Sequence, residues 1–211
     1  GDASVGAALA SHPGIDKVSF TGSTAAGRNV AQACAANLTQ ASLELGGKSA
    51  AIVLDDTDPV DVAAAIQLAS LANSGQVCNA LTRILVPAWR RDEFVEALAT
   101  ELSTVCVGDP SDPETQMGPL VSARQQARVR EYIAEGQREG ARLVTGGSDL
   151  PVGVDRGWYV RPTLFADAHN DMRIAQEEIF GPVLTVIPYR DEDHAVQVAN
   201  DSPYGLAGAV F

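Results

Sequence analysis

The chain has 211 residues, of which 45% are hydrophobic and 20% charged, as is typical of a globular protein with a sizeable core. It holds 27 acidic and 15 basic residues, and the resulting formal net charge of −12 argues against a nucleic-acid partner. No apolar run approaches the roughly 20 residues that cross a bilayer, so no membrane partner is expected.

Cysteine usage and the start of the chain bear on the cellular compartment. Cys34, Cys78 and Cys106 are odd in number and widely spaced, so they do not suggest a disulfide framework. The first residues lack the basic flank and apolar stretch of a secretory signal. These features predict a cytoplasmic protein.

Apolar and polar segments alternate along the first third of the chain and predict helices and strands in turn. In chain order we expect a helix over 2–11, a strand over 18–20, a helix over 25–36, strands over 42–45 and 50–54, and a buried helix over 59–74 that Gly75 ends. The helix over 59–74 is small or apolar on successive faces, which is why we expect it to be buried.

The segment Thr21–Thr24 joins the first strand to the second helix. A strand, a Gly/Ser turn and a helix in this order aim free backbone N–H groups and the positive end of the helix dipole at an anion. Gly22 lets the backbone approach a ligand closely, and Ser23 adds a hydroxyl donor. A plain turn with a Ser N-cap explains the same residues, so the motif by itself leaves both interpretations open.

Glu44 stands near the end of the strand predicted over 42–45 and is followed by two glycines and Lys48. A carboxylate at the end of a buried strand is hard to explain as solvation, because desolvating its charge is expensive. Such a glutamate either pairs with a cation, for which Lys48 is the obvious partner, or has a raised pKa suited to general-base work.

The rest of the chain continues the alternation of helices and strands. We expect a strand over 83–86, an amphipathic helix over 91–105, a long Pro/Gly loop over 107–121, a charged helix over 123–140, a strand over 142–144, an extended edge segment over 158–165, a strand over 182–189, a helix over 191–200 and a final strand over 204–211. Together these elements predict an α/β fold with a largely parallel sheet flanked by helices.

Cys78 lies on a predicted turn just after Gly75. It is either a small buried hydrophobe or a nucleophile, and a nucleophile needs a thiolate, an oxyanion site and a base or water-activating group. The backbone N–H of the turn and the carboxylate of Glu44 could supply the last two. The histidines stand in a turn, a loop and a polar helix, which disfavours a Cys–His hydrolase and a metal site: His12, His169 and His194. A thiol, a carboxylate and a pyrophosphate-binding turn predict redox chemistry at a carbonyl carbon.

Four short motifs resemble signatures of the NAD(P)-dependent aldehyde dehydrogenase superfamily, in the family's order and at its spacing. They are Phe20–Thr24, Glu44–Lys48, Gly75–Cys78 and Glu178–Pro182. The similarity spans the whole chain. It implies an aldehyde dehydrogenase-like fold, incomplete at both ends, and an enzyme that oxidises an aldehyde to a carboxylic acid with NAD, with NADP as the alternative.

The resemblance also implies a role for particular residues. Cys78 would add to the aldehyde as a thiohemiacetal and then hold the thioester, and Glu44 would activate the water that releases the acid. The implied cofactor contacts are Gly22 and Ser23 at the pyrophosphate, Leu45 and Gly46 at the nicotinamide pocket, Glu178 at the nicotinamide ribose and Phe180 packed beside it. No metal is implied.

The resemblance covers only the middle-to-late part of the family's length. Residues 1–45 would be the C-terminal part of a Rossmann-like NAD(P)-binding domain, and residues 46–211 a truncated catalytic domain. The lysine at the adenosine ribose and the asparagine that completes the oxyanion hole would lie outside these 211 residues. We therefore expect the full-length parent to act on a small-molecule aldehyde as a homo-oligomer, and the 211-residue chain to be inactive or nearly so.

Two other functions remain open at this point. The chain could be a truncated domain that acts only as a structural or interaction module. The parent could also be a semialdehyde dehydrogenase that passes the acyl group to coenzyme A. Superfamily members of that kind often lack the glutamate found here at Glu44, so its presence favours hydrolysis to a free acid.

Overall fold

The structure is a computed structural model that describes residues 2–211. The chain divides into two compact units, of which the first ends at Gly46 and the second runs from Gly47 to Phe211. Each unit is described by itself below. The roles predicted for the two segments of the chain, cofactor binding and catalysis, stay predictions.

The first unit is a small α/β layer. Its elements are α1 (Ala3–Ala10), β1 (Lys17–Thr21), α2 (Thr24–Ala35) and β2 (Gln40–Glu44). β1 and β2 pair in parallel, with Lys17 opposite Gln40 and Thr21 opposite Glu44. β2 is exposed along most of its length, and Glu44 itself is exposed, because β1 is the only strand that pairs with it among the described residues. The expectation that Glu44 ends a buried strand is therefore wrong.

The second unit holds the larger part of the fold. Its elements are β3 (Ser49–Ile52), α3 (Pro59–Leu71), β4 (Leu81–Pro87), α4 (Arg91–Ser103), α5 (Ala123–Arg138), β5 (Arg142–Thr145), β6 (Thr163–Ala166), α6 (Arg173–Gln176), β7 (Val183–Tyr189), α7 (Glu192–Asn200) and β8 (Gly208–Val210). Side-chain oxygens cap the first N–H groups of three helices, from Asp58 in α3, Ser122 in α5 and Asp191 in α7. The short helix α6 was not predicted.

The six strands of the second unit form one sheet in the order β5-β6-β7-β4-β3-β8. Every neighbouring pair is parallel except β5 and β6. This confirms the predicted α/β fold with a largely parallel sheet. The edge segment predicted over 158–165 is wrong, because β6 lies between two other strands and residues 158–162 form no strand.

Helices cover both faces of this sheet. Side chains from α3 and α4 pack on one face, where Ile66, Phe94 and Leu98 are among the buried residues. Side chains from α5, α6 and α7 pack on the other face, as Ile133 and Ile174 do. Fully burying a side chain of this size contributes about 1.5–3 kcal/mol to stability. The helix α3 is buried on one face only, with Leu68 76% exposed, so it is less buried than its composition predicts.

No helix within residues 2–211 combines the length and the hydropathy that crossing a membrane requires.

Candidate active site

Three segments from the predicted motifs lie directly before neighbouring strands of the second unit, and two of them contain predicted site residues. Residues 47–48 precede β3, residues 76–80 precede β4 and residues 177–182 precede β7. The strands β7, β4 and β3 are adjacent and parallel, so the three segments lie side by side at the amino ends of the strands. In open parallel sheets a ligand usually binds at the carboxyl ends instead, so this edge is the unusual one.

The turn that contains Cys78 follows an unusual backbone path. The helix α3 ends at Leu71, four residues before the predicted end at Gly75, and then Asn73, Ser74 and Gly75 all have positive φ angles, of 50°, 60° and 71°. A turn closes from the N–H of Ala80 to the carbonyl of Val77, 3.2 Å apart. This path leaves the Cys78 side chain partly exposed. Within the described residues, the backbone N–H of Cys78 donates no hydrogen bond.

Two glycines bring the other segments against this turn. A Cβ atom on Gly47 would lie 2.5 Å from the carbonyl oxygen of Cys78, and a Cβ atom on Gly75 would lie 2.5 Å from the carbonyl carbon and oxygen of Gly181. Any side chain at Gly47 or Gly75 would therefore push the backbones apart. The glycines in the predicted motifs thus have a packing role.

Glu178 joins this group through Gly47. Its carboxylate oxygen Oε1 accepts the N–H of Gly47 at 3.3 Å. Burial raises the pKa of Glu178, while the Gly47 N–H, Arg128 and Lys48 act in the opposite direction. The carbonyl of Cys78 and the carboxylate of Glu178 therefore both lie against Gly47.

Glu177 and Glu178 are adjacent residues of the same type, but they have different hydrogen-bond partners. Glu177 accepts hydrogen bonds from Arg173 and from the hydroxyl of Tyr132. These bonds lower the pKa of Glu177 to about 2. Glu177 thus forms a structural ion pair with Arg173, whereas the Glu178 carboxylate accepts one hydrogen bond, from Gly47.

Phe180 is held in the left-handed region, with a φ angle of 61°. A bulky residue there is a genuine outlier that costs about 1–3 kcal/mol. The residue is 37% exposed, so part of it is open to a ligand.

Two buried cations next to these segments were not predicted as site residues. Lys48 is 3% exposed, and its Nζ has no hydrogen-bond partner among residues 2–211. Arg83 is 2% exposed, and its Nε donates to the Lys48 carbonyl at 2.9 Å. A groove of about 340 Å³ beside β8 includes both residues but not Cys78. The sequence did contain a signal for Arg83, because a charged residue within the apolar strand β4 indicates a buried group with specific partners.

Burial lowers the pKa of Lys48 to about 7, with a further contribution from Arg83. Between about pH 7 and the ordinary lysine pKa, the unfolded chain therefore holds a proton that the folded chain lacks, and stability rises with pH. We expect Lys48→Met to be more stable than the wild type at neutral pH, by up to a few kcal/mol, and to lose this rise of about 1.4 kcal/mol per pH unit.

Urea unfolding at a series of pH values from neutral to alkaline measures this difference. The matched control is Lys17→Met, because Lys17 is the only other lysine and is exposed. Parallel pH curves for the wild type and Lys48→Met would contradict the prediction.

The first unit brings the remaining predicted residues together. The N–H of Gly22 donates to the Glu44 carbonyl at 3.0 Å, which joins the turn after β1 to the end of β2. Ser23 caps α2, and its hydroxyl accepts the N–H of Ala26 at 3.3 Å. Leu45 packs on Gly27, where a Cβ atom would lie 2.4 Å from the Leu45 side chain. Ser23 is therefore the N-cap of α2, as the simpler interpretation of this turn predicts. The helix dipole and the Ser23 hydroxyl hydrogen are still available to an anion.

Glu44, Leu45 and Gly46 belong to the first unit, and Cys78, Glu178 and Phe180 to the second. Their predicted cooperation around one substrate therefore stays a prediction. Within the described residues, no group of three or more His, Cys, Asp or Glu side chains could hold a metal ion.

The fold and these segments define an α/β protein with a partly exposed thiol at the amino edge of a parallel sheet. The model of the aldehyde dehydrogenase family matches residues 1–211, so the chain belongs to the aldehyde dehydrogenase family.

Relatives and solved structures agree with this membership. A geranial dehydrogenase from Castellaniella defragrans is 54% identical over all 211 residues, which cover 44% of that protein. A Mycobacterium tuberculosis aldehyde dehydrogenase complexed with NAD+ is 51% identical, with a TM-score of 0.97, and the match covers 100% of this chain and 44% of that one. A mutant of aldehyde dehydrogenase C from Pseudomonas syringae, complexed with NAD+ and octanal, is 45% identical with a TM-score of 0.96, and the match covers 98% of this chain and 42% of that one. The chain thus spans less than half the length of these relatives.

Proposed function

We propose that the protein, at the full length of its relatives, oxidises an aldehyde to a carboxylic acid with NAD+. The observation that supports this most is the Cys78 turn. It has a partly exposed thiol and a backbone N–H that donates no hydrogen bond within residues 2–211, and its Cys78 carbonyl packs against Gly47, whose own N–H donates to Glu178. A nucleophile, an oxyanion donor and a carboxylate at one edge of the sheet are what chemistry on a carbonyl carbon requires.

The proposed reaction begins at Cys78. Its thiolate adds to the carbonyl carbon, and the carbonyl oxygen becomes an oxyanion that the Cys78 N–H can stabilise. Loss of hydride from this thiohemiacetal leaves a thioester on the sulfur. Glu44 then takes a proton from water, the hydroxide attacks the thioester carbonyl, and the acid leaves while the thiolate is restored.

The residues present suit a dinucleotide cofactor, which supplies the hydride acceptor when it is bound. The first turn of α2 and the Ser23 hydroxyl would hold the pyrophosphate, beside Gly22. Glu178 would hold the ribose next to the nicotinamide, because its carboxylate is partly buried and only its Oε1 accepts a hydrogen bond within residues 2–211. The exposed ring of Phe180 would pack against the same end, and Leu45 and Gly46 would line the nicotinamide pocket. The NAD+ complexes of two relatives favour NAD over NADP.

An apolar aldehyde is the proposed class of substrate. One relative is named for geranial, and another was solved with octanal. A homo-oligomer working in the cytoplasm completes the proposal, and the three free thiols suit a reducing compartment.

The test uses the protein at the full length of its relatives. It is incubated with octanal or with succinic semialdehyde, with NAD+ or NADP+, and with or without coenzyme A. We expect NADH and the free acid to form from octanal without coenzyme A. Product release that depends strictly on coenzyme A would favour the acylating semialdehyde dehydrogenase instead.

The 211-residue chain is expected to behave differently from the full-length protein. Because it spans 44% of its relatives, we expect weak NAD binding and no aldehyde-dependent formation of NADH. Calorimetric titration with NAD and an absorbance assay for NADH measure both. Robust turnover by the 211-residue chain would contradict this prediction, and an inert full-length protein would favour a structural or interaction module.

A further inference from the structure

One continuous stretch, residues 118–128, donates and accepts hydrogen bonds on both sides of the candidate site. We call this stretch the brace. Towards the Cys78 turn, the Gly118 carbonyl accepts the Ser74 hydroxyl at 2.9 Å, and the Val121 N–H donates to Gln76 Oε1 at 3.0 Å. The brace therefore holds the two residues that flank Gly75.

Towards the Glu178 segment, the brace holds three successive carbonyl groups. The side-chain amide of Gln125 donates to the carbonyls of Ile179 and Phe180, at 3.0 and 2.8 Å. The guanidinium of Arg128 donates to the carbonyl of Glu178 at 2.7 Å. Gln125 and Arg128 are three residues apart on α5, so they project from the same side of the helix.

Both segments held by the brace have strained backbones. Asn73 and Ser74 precede the Cys78 turn, and Phe180 follows Glu178, all with positive φ angles. Each such residue costs about 1–3 kcal/mol and persists only where the surroundings impose it. The brace hydrogen-bonds directly to two of these strained residues, Ser74 and Phe180, and to Gln76, which in turn bonds Asn73.

The two strained segments also touch each other. Gly75 packs directly on the backbone of Gly181 and Pro182, where a Cβ atom would lie 2.5–2.7 Å from their atoms. A shift of the Phe180 segment therefore displaces the turn that contains Cys78, because closely packed backbones cannot absorb it.

We propose that the brace, through Gln125, positions the Cys78 thiol relative to Glu178 and Phe180. Gln125 contacts neither the thiol nor the Glu178 carboxylate in this arrangement, so it is a positioning residue and acts through the Phe180 segment. The inference rests on the proposed function only in requiring that Cys78 is the reactive thiol.

The test measures how fast iodoacetamide alkylates Cys78 in the 211-residue chain, at a series of pH values, with peptide mass spectrometry to separate the cysteines. The variant is Gln125→Met, which keeps the size of the side chain and removes its donor. The matched control is Gln126→Met, because Gln126 is on the same helix and donates to the Tyr159 carbonyl at 2.8 Å, away from both segments.

We expect Gln125→Met to alkylate at Cys78 about threefold or more slowly at neutral pH, because a displaced turn no longer presents the thiol as well. Gln125→Glu, which also lacks the amide donor, is expected to do the same and covers the case in which Gln125→Met does not fold. Gln126→Met should match the wild type.

Two results would overturn the inference alone. One is an unchanged Cys78 rate in both Gln125 variants. The other is a faster rate that follows global unfolding, as a merely structural hydrogen bond would give. A wild-type Cys78 that reacts no faster than the exposed Cys106 thiol is a distinct result, because it would remove the proposed nucleophile and the inference with it.

Discussion

Arg83→Met is expected to lower the free energy of unfolding of the second unit by about 3–5 kcal/mol, because several neutral acceptors lose a charged donor and each such hydrogen bond contributes about 1.5–3 kcal/mol, partly offset by the removed cost of burying the charge. The guanidinium donates four hydrogen bonds, to the Lys48 carbonyl, the Asn170 side chain and the carbonyls of Val198 and Ala199, at 2.7–3.0 Å. Methionine would leave these acceptors buried without a donor. The carbonyls of Val198 and Ala199 lie in the last turn of α7, where the helix dipole favours a positive charge, and methionine would remove that charge.

Urea denaturation measures this loss. A domain is stable by only about 5–15 kcal/mol, so a large share of the population should unfold at low denaturant. Arg142→Met is the matched control, because Arg142 is also on a strand but its ion pair with Asp167 is half exposed and worth at most about 1 kcal/mol. Arg83→Lys should fall between the two, since it keeps the charge but not the fork of donors. A loss below about 1 kcal/mol for Arg83→Met would contradict the assigned role.

Local signals account for most of the secondary structure. Apolar periodicity, acidic or serine caps and Gly/Pro turns place most helices and strands within a few residues. The errors arise where the pairing with a neighbouring strand, and not the local sequence, determines the position of a segment in the sheet. The segment over 158–165 shows an extended pattern, but only the pairing of β6 with β5 and β7 makes it an interior part of the sheet.

Burial of single residues was harder to predict, because it depends on contacts far away in sequence. The apolar strand pattern around Glu44 suggests a covered strand, yet β2 pairs only with β1 among the described residues. Arg83 finds its partners up to 116 residues away, and no local pattern indicates them.

The candidate site also has features that local sequence predicts and features that depend on distant contacts. Short motifs identify Cys78 and Glu178 because turn chemistry and spacing are local properties. The left-handed path through Asn73 and Ser74, and the brace that supports it, could not be predicted from the sequence. Neither residue is a glycine, and the strain persists only because Gln76 and the brace hold it.

Cys78→Ser in the full-length protein is expected to lower kcat by a factor on the order of 10³ or more, since a hydroxyl lacks the thiolate that forms the thioester. Cys106→Ser is the control, because the Cys106 thiol is exposed and lies on no proposed contact surface of the site. Stopped-flow absorbance of NADH and steady-state rates measure both variants. Comparable losses in the two variants would contradict the assignment of Cys78 as the nucleophile.

Glu44→Gln separates the two halves of the same reaction. If Glu44 only activates water, this variant should still oxidise the aldehyde once, giving a burst of NADH and a thioester that remains on Cys78. Mass spectrometry of the quenched protein would find the acyl group on the peptide that contains Cys78. Loss of the burst together with turnover would place Glu44 before hydride transfer, as the base that generates the thiolate.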